Sequence, residues 1–157
     1  MNGAGTAGVI SRPIRLFPAA ILLGFALDHL LQLPFAVPEA DSVPWIVAGF
    51  LVLIGLVLFA AGVRSFSRAA TPLPTNQPAR VLVTTGIYRW TRNPIYLGFF
   101  LVYGGIGVAS RSLWILILTL PLAITIRHGV IAREEAYLER RFGDTYRDYK
   151  ARVRRWL

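Results

Sequence analysis

No cysteine occurs among the 157 residues. Disulfides, thiolate metal sites and a cysteine nucleophile are therefore excluded, and the redox compartment is not legible. Acidic residues are scarce, 8 Asp and Glu against 17 Lys and Arg. Such an excess of positive charge can mark a nucleic-acid binder. Here no basic residue lies in the middle of an apolar run, so the charges mark membrane edges and no nucleic-acid partner is expected. There is no low-complexity tract and no internal repeat with a period of roughly 20 to 50 residues. The first apolar run also lacks a small-residue cleavage site, so it reads as a retained helix and not a secretory signal.

What the chain has in quantity is hydrophobic residues, 55% of the total, with a mean hydropathy of +0.54. They are gathered into runs, the pattern of a chain solvated by lipid. Residues 1–11 are expected to be disordered. The first run, about 13–33, is close to the ~20 residues that cross ~30 Å of hydrocarbon. PFAVPEADSVP follows, with Glu39 and Asp41 but no Lys or Arg, and reads as a non-cytoplasmic loop. A second run covers about 45–63. Residues 64–93 form a cytoplasmic loop carrying Arg64, Arg68, Arg80, Arg89 and Arg92, with a β-like VLVTT before Gly86. Its length favours a functional role. The apolar stretch 94–127 is broken at ASRS into a hairpin of two short helices, the second kinked at Pro121. Residues 128–157 form a cytoplasmic, helical C-terminal segment.

Basic residues count two, none, five, one and nine across the successive polar segments. That alternation predicts an all-α integral membrane protein of one domain, 1–157, with about four transmembrane helices and both termini cytoplasmic. Asp28 and His29 are the only ionisable pair inside a predicted span. They are either functional or mutual packing partners.

Two polar stretches carry chemistry. In IAREEAYLERRFGDTYRDY, Ile131, Glu135, Leu138 and Phe142 share one helical stripe, which sets the Glu135 carboxylate on an apolar face with Glu134 beside it. The alternative is that these acids form surface ion pairs. Gly143 reads as a helix C-cap, and Tyr146, Tyr149 and Arg152 could form an interfacial belt. In GIYRWTRNPIYLG, Pro94 suits a helix N-terminus, so Arg92 and Asn93 sit where unpaired N–H groups attract an anion. A ligand needing both signs of charge, an apolar neighbourhood and access from the cytosol is S-adenosylmethionine.

The same residues resemble a known family. GIYRWTRNPIYLG and, after the hairpin, REEAYLERRFGDTYRDYKARV are similar to the signature of the isoprenylcysteine carboxyl methyltransferase and phospholipid methyltransferase superfamily of membrane enzymes. That signature is a G-x-Y-R-x-x-R-H-P-x-Y-x-G loop, a helical hairpin, then E-E-x-x-L, F-G-x-x-Y and Y-x-x-x-V. The resemblance extends from Val81 to the C-terminus. It implies S-adenosylmethionine-dependent methyl transfer to a lipidic or prenyl-like acceptor at the cytoplasmic membrane face. It implies a cofactor pocket of Tyr88, Arg92, Asn93, Pro94, Tyr96, Leu97, Gly98, Glu134 and Glu135, with Arg152 near the reacting centre. Asn93 replaces the usual histidine and so loses a titratable ring. A carboxylate acceptor would need only orientation, for which Arg152 is a candidate. An amine would have to lose a proton, to Glu135 or His128. No metal is expected, and neither the acceptor nor the oligomeric state can be read. Two other readings remain: a nicotinamide-dependent reductase related to sterol reductases, and a non-catalytic four-helix scaffold whose basic C-terminus binds anionic lipid.

Overall fold

The computed structural model of the chain describes residues 13–38, 41–72 and 79–157. The expected disorder of 1–11, Arg12 of the first basic pair and Glu39 of the first loop lie outside them. Every regular element among the described residues is helical: α1 (Pro13–Leu30), α2 (Val43–Arg68), a 3₁₀ turn (Gly86–Arg89), α3 (Pro94–Ala109), α4 (Leu113–Ile126), a π-helical turn (Arg127–Ile131), α5 (Ala132–Phe142) and α6 (Asp144–Arg152). The VLVTT segment is not a strand. It runs as irregular chain, with Ala79 held by a hydrogen bond from its N–H to the Tyr137 hydroxyl at 3.0 Å.

Backbone approach organises the bundle. Along α2 the buried positions Ala48, Gly55 and Gly62 recur every seven residues. They face Gly105, Gly98 and Ile95 of α3, respectively, in an antiparallel seam. A Cβ on Gly98 would stand 2.6 Å from the Gly55 carbonyl oxygen. Only small residues let two helices come this close, and van der Waals contact along the seam then holds them. On its other side α3 meets α4, against which α1 packs through Gly24 and Ile115. Phe17 of α1 closes the core against Phe99, Phe100 and Tyr103. The remaining faces of α2 are apolar and exposed, Trp45, Phe50, Leu53 and Val57 among them.

The hairpin stands where ASRS predicts it. Arg111 adopts the left-handed region at φ 55°, and the Ser112 side chain caps α4 by accepting from the Ile115 N–H at 3.1 Å. At that end of the bundle, Trp114 donates to the Leu31 carbonyl at 2.7 Å and Arg111 donates to the Val37 carbonyl.

Three boundaries differ from expectation. Helix α2 continues through Arg64 to Arg68, so the predicted loop begins a turn later. Helix α1 ends at Leu30 and not near residue 33, which places Asp28 and His29 in its last turn and not deep in a span. Helices α4 and α5 run on as one rod, Leu113–Phe142, through the π turn.

Two helices among the described residues are long and apolar enough to cross a membrane, Val43–Arg68 and Leu113–Phe142, their apolar 18-residue stretches averaging hydropathies of 2.8 and 1.9. Pro94–Ala109 is apolar but shorter. The second rod, at 1.5 Å per residue, measures about 45 Å against ~30 Å of hydrocarbon. All its Asp, Glu, Lys and Arg residues come after Ile126. Hydrocarbon can therefore cover α4 but not α5, whose charges need water or partners.

Candidate active site

The N-terminus of α1, the C-terminus of α2, the start of α3 and the end of the α4–α5 rod converge at one end of the bundle, around a cavity of about 310 Å³. Its polar wall is assembled from four pieces of chain. The 3₁₀ turn presents Tyr88, the start of α3 presents Arg92, Asn93 and Tyr96, α5 presents Glu134 and Glu135, and α6 presents Tyr146 and Tyr149. The opposite wall is apolar: Ile14, Phe59, Phe66, Ile95 and Phe99. Ala79 and residues 81–83 of the irregular segment, with Ile131 and Leu138, complete the lining.

Local structure explains the placement of each group. Gly86 sits at φ +64° with its Cα against Ser65, where a Cβ would meet the serine hydroxyl at 2.8 Å. Glycine's tolerance of this conformation lets the turn lie on α2 and carry Tyr88 inward. Pro94 begins α3, as expected, with Asn93 as its cap residue. The Asn93 amide does not cap the helix. Its Nδ2 donates to the Arg155 carbonyl at 3.0 Å. The π turn is a feature with no signature in the sequence, and such turns are frequent at functional sites. Beyond it α5 buries Glu134, Glu135 and Tyr137. The surface ion pairs are made instead by Glu139, which meets Arg147 and Lys150, and by Asp144, which meets Arg147.

Charge is concentrated at Glu135. Its Oε1 lies 3.2 Å from Arg92 Nη2. Arg155 grips both of its oxygens, Nε to Oε1 at 3.0 Å and Nη2 to Oε2 at 2.7 Å. Arg92 Nε and Nη1 are buried without a hydrogen-bond partner. A stranded buried N–H is costly and calls for an acceptor. Glu134 accepts from the Tyr96 hydroxyl at 2.9 Å. Burial pushes the Glu134 carboxyl up to about 7; the Tyr96 hydrogen bond opposes that rise and the Glu135 charge adds to it. Burial likewise raises the phenols of Tyr88, Tyr146 and Tyr149 above their ordinary range, so these hydroxyls stay neutral. Tyr149 donates to the Tyr88 carbonyl at 2.8 Å, tying α6 to the 3₁₀ turn.

Of the residues expected at the site, Tyr88, Arg92, Asn93, Tyr96, Glu134 and Glu135 all line the cavity. Pro94, Leu97 and Gly98 do not; Pro94 and Gly98 face α2 near Gly62 and Gly55. Arg152 is exposed, with its Nε on the Asp148 carbonyl, and the structure does not bring it to the cavity. His128 is exposed as well. Sequence reasoning missed Arg155, which occupies the place beside Glu135. It also missed Tyr146 and Tyr149 as lining, having read them as an interfacial belt. The one signal for Arg155 was its position next to Trp156 in ARVRRWL, just past a helix end, and no periodicity links that segment to residue 92.

The sequence pattern of the phospholipid methyltransferase family matches residues 43–145. Protein-S-isoprenylcysteine O-methyltransferase of Rattus norvegicus is 32% identical over 126 residues, covering 74% of this chain and 42% of that protein. The enzyme of the same name from Schizosaccharomyces pombe is 36% identical over 73 residues, 46% of this chain and 31% of that protein. An uncharacterised Haemophilus influenzae protein is 62% identical over 34 residues, 22% of this chain and 54% of its own length. The chain thus spans about a third to a half of the length of these relatives.

Proposed function

The chain belongs to the phospholipid methyltransferase family, and from that premise we propose that it uses S-adenosylmethionine to methylate a lipidic or lipid-linked acceptor at the cytoplasmic face of a membrane. The observation that carries the reading is that Arg92 and the buried carboxylates of Glu134 and Glu135 line one cavity, with two nitrogens of Arg92 left without a hydrogen-bond partner. That wall suits the amino-acid end of the donor, the carboxylate on Arg92 and the ammonium on Glu134. When bound, the donor supplies an electrophilic methyl group on a sulfonium. The faces of Tyr88, Tyr96, Tyr146 and Tyr149 suit that cation.

The protein's own work is positioning and exclusion of water. Neutral phenols around the cavity fit this. A greasy acceptor would enter along the apolar lining of Ile14, Phe59, Ile95 and Phe99, of which Ile14 is exposed. For the membrane disposition, we propose four crossings by α1 to α4 with the cavity end cytoplasmic. That end carries Arg64, Arg68, Arg89 and the basic residues from Arg127 onward, whereas Arg111 is at the other.

The test is equilibrium binding of radiolabelled S-adenosylmethionine and NADPH to detergent-purified protein. Saturable binding of the first and not the second is expected. Preference for NADPH would favour the reductase reading. No saturable site for either would favour a scaffold.

A further inference from the structure

We propose that Arg155 is a positioning residue: by gripping both oxygens of Glu135, it keeps that carboxylate from closing on Arg92 and so leaves Arg92 N–H groups unpaired, to be taken up by the carboxylate of the methyl donor. The inference rests on the donor reading above and concerns one residue outside the signature loops.

Arg92, Glu135 and Arg155 form a triad of two cations and one anion, with side chains 9%, 10% and 27% exposed. Its net charge of one positive matches a ligand group of one negative. The distribution of bonds inside the triad is uneven. Arg155 makes the two-pronged contact, at 3.0 and 2.7 Å, while Arg92 reaches only the shared Oε1, at 3.2 Å. A planar guanidinium gains most when two of its N–H groups meet both oxygens of a carboxylate. Left alone with Glu135, Arg92 would make that fork itself and satisfy one of the N–H groups now stranded. Arg155 prevents this by occupying Oε2.

The backbone aims Arg155. After α6 the chain becomes extended at Val153, φ −118° and ψ 128°, and doubles back across the loop that precedes α3. The Arg92 N–H donates to the Arg154 carbonyl at 3.0 Å. Thr91 Oγ1 and Asn93 Nδ2 both donate to the Arg155 carbonyl, at 3.2 and 3.0 Å. Trp156 then anchors edge-on against Phe100, ring centroids 6.2 Å apart. Besides lining the cavity, Asn93 thus holds the chain that carries Arg155, a task that needs a donor and no titratable ring.

The experiment compares two ligands that differ only in the carboxylate: S-adenosylmethionine and its decarboxylated form, which keeps the ammonium and the sulfonium. Affinities are measured by calorimetry on the full chain in detergent, for wild type, Arg155→Ala and Arg155→Lys. The substitutions leave the carbonyl clamp intact because its acceptors are main-chain atoms. Wild type should prefer the carboxylated ligand. Arg155→Ala should lose about 10- to 100-fold in affinity for S-adenosylmethionine, the worth of a hydrogen bond to a charged group, and stay within about twofold for the decarboxylated ligand. Arg155→Lys should recover part of the loss, since an ammonium can hold one oxygen but cannot fork. An equal loss for both ligands, no loss for either, or a wild type indifferent to the carboxylate would each overturn the proposal while leaving the donor reading standing. A wild type that binds neither ligand would remove the donor reading itself.

Discussion

Replacing Arg92 by methionine separates binding from stability in a way that an ordinary buried ion pair would not. Breaking such a pair by removing one partner typically costs ~3–5 kcal/mol, because a charge is left alone in a poor solvent. Here Glu135 would not be left alone, since Arg155 holds both of its oxygens. The lost ion-pair contact with Arg92, 3.2 Å long, is worth at most about 3 kcal/mol, the upper value for a hydrogen bond to a charged group. Against it stand two buried N–H groups, Nε and Nη1, that the wild type leaves unpartnered. Each costs about 1–3 kcal/mol, and methionine fills similar space without them. Together these come to about 2–6 kcal/mol, which equals or exceeds the lost contact, so Arg92→Met should be as stable as wild type or more stable. Its affinity for S-adenosylmethionine should fall by roughly 10- to 100-fold. Thermal unfolding followed through the four tryptophans and calorimetric titration, both in detergent, measure the two quantities. A stability loss of full buried-pair size with unchanged affinity would refute the reasoning.

Glu134→Gln tests the buried acid. Because the folded-state value, about 7, lies above the ordinary 4.5, the protonated form favours the fold. Its contribution is complete below pH 4.5 and is lost as pH rises through about 7, a span worth about 3 kcal/mol. The stability difference between wild type and Glu134→Gln should therefore change across that window, and a difference flat with pH would count against it. Gly98→Ala should destabilise by about 1–3 kcal/mol, since its Cβ meets backbone of α2 on two sides. Gly104→Ala, with nothing within 4 Å of the new atom, should be neutral; equal effects on unfolding would mean the seam is not where these helices touch. Arg152→Ala, altering an exposed side chain, should leave S-adenosylmethionine affinity within about twofold of wild type, and a larger loss by the same titration would place it at the site.

Helix content, the ASRS hairpin, the Pro94 start of α3 and the Gly143 break are local properties, decided within a turn or two of chain, and the sequence alone predicts them. The same is true of the pairing of Glu135 with a stripe of apolar residues, because helical period is a short-range rule. Arg92 and Glu135 meeting was an expectation from motif order. The bundle realises it by folding one end of α3 against the end of the α4–α5 rod.

Other features depend on contacts distant in sequence. The seam of Ala48, Gly55 and Gly62 against α3 looks, in the sequence, like scattered small residues; only the partner helix makes them an interface. The π turn at Arg127–Ile131 carries no residue pattern that distinguishes it from plain helix. Arg152 and Arg155 are both basic residues near the end of one short helix, three positions apart, and composition does not tell them apart. What divides them is that the chain turns extended at Val153 and is caught by Thr91 and Asn93 some sixty residues away in sequence. Side-chain character is written in the sequence, whereas which charge faces which is decided by the path of the backbone in three dimensions.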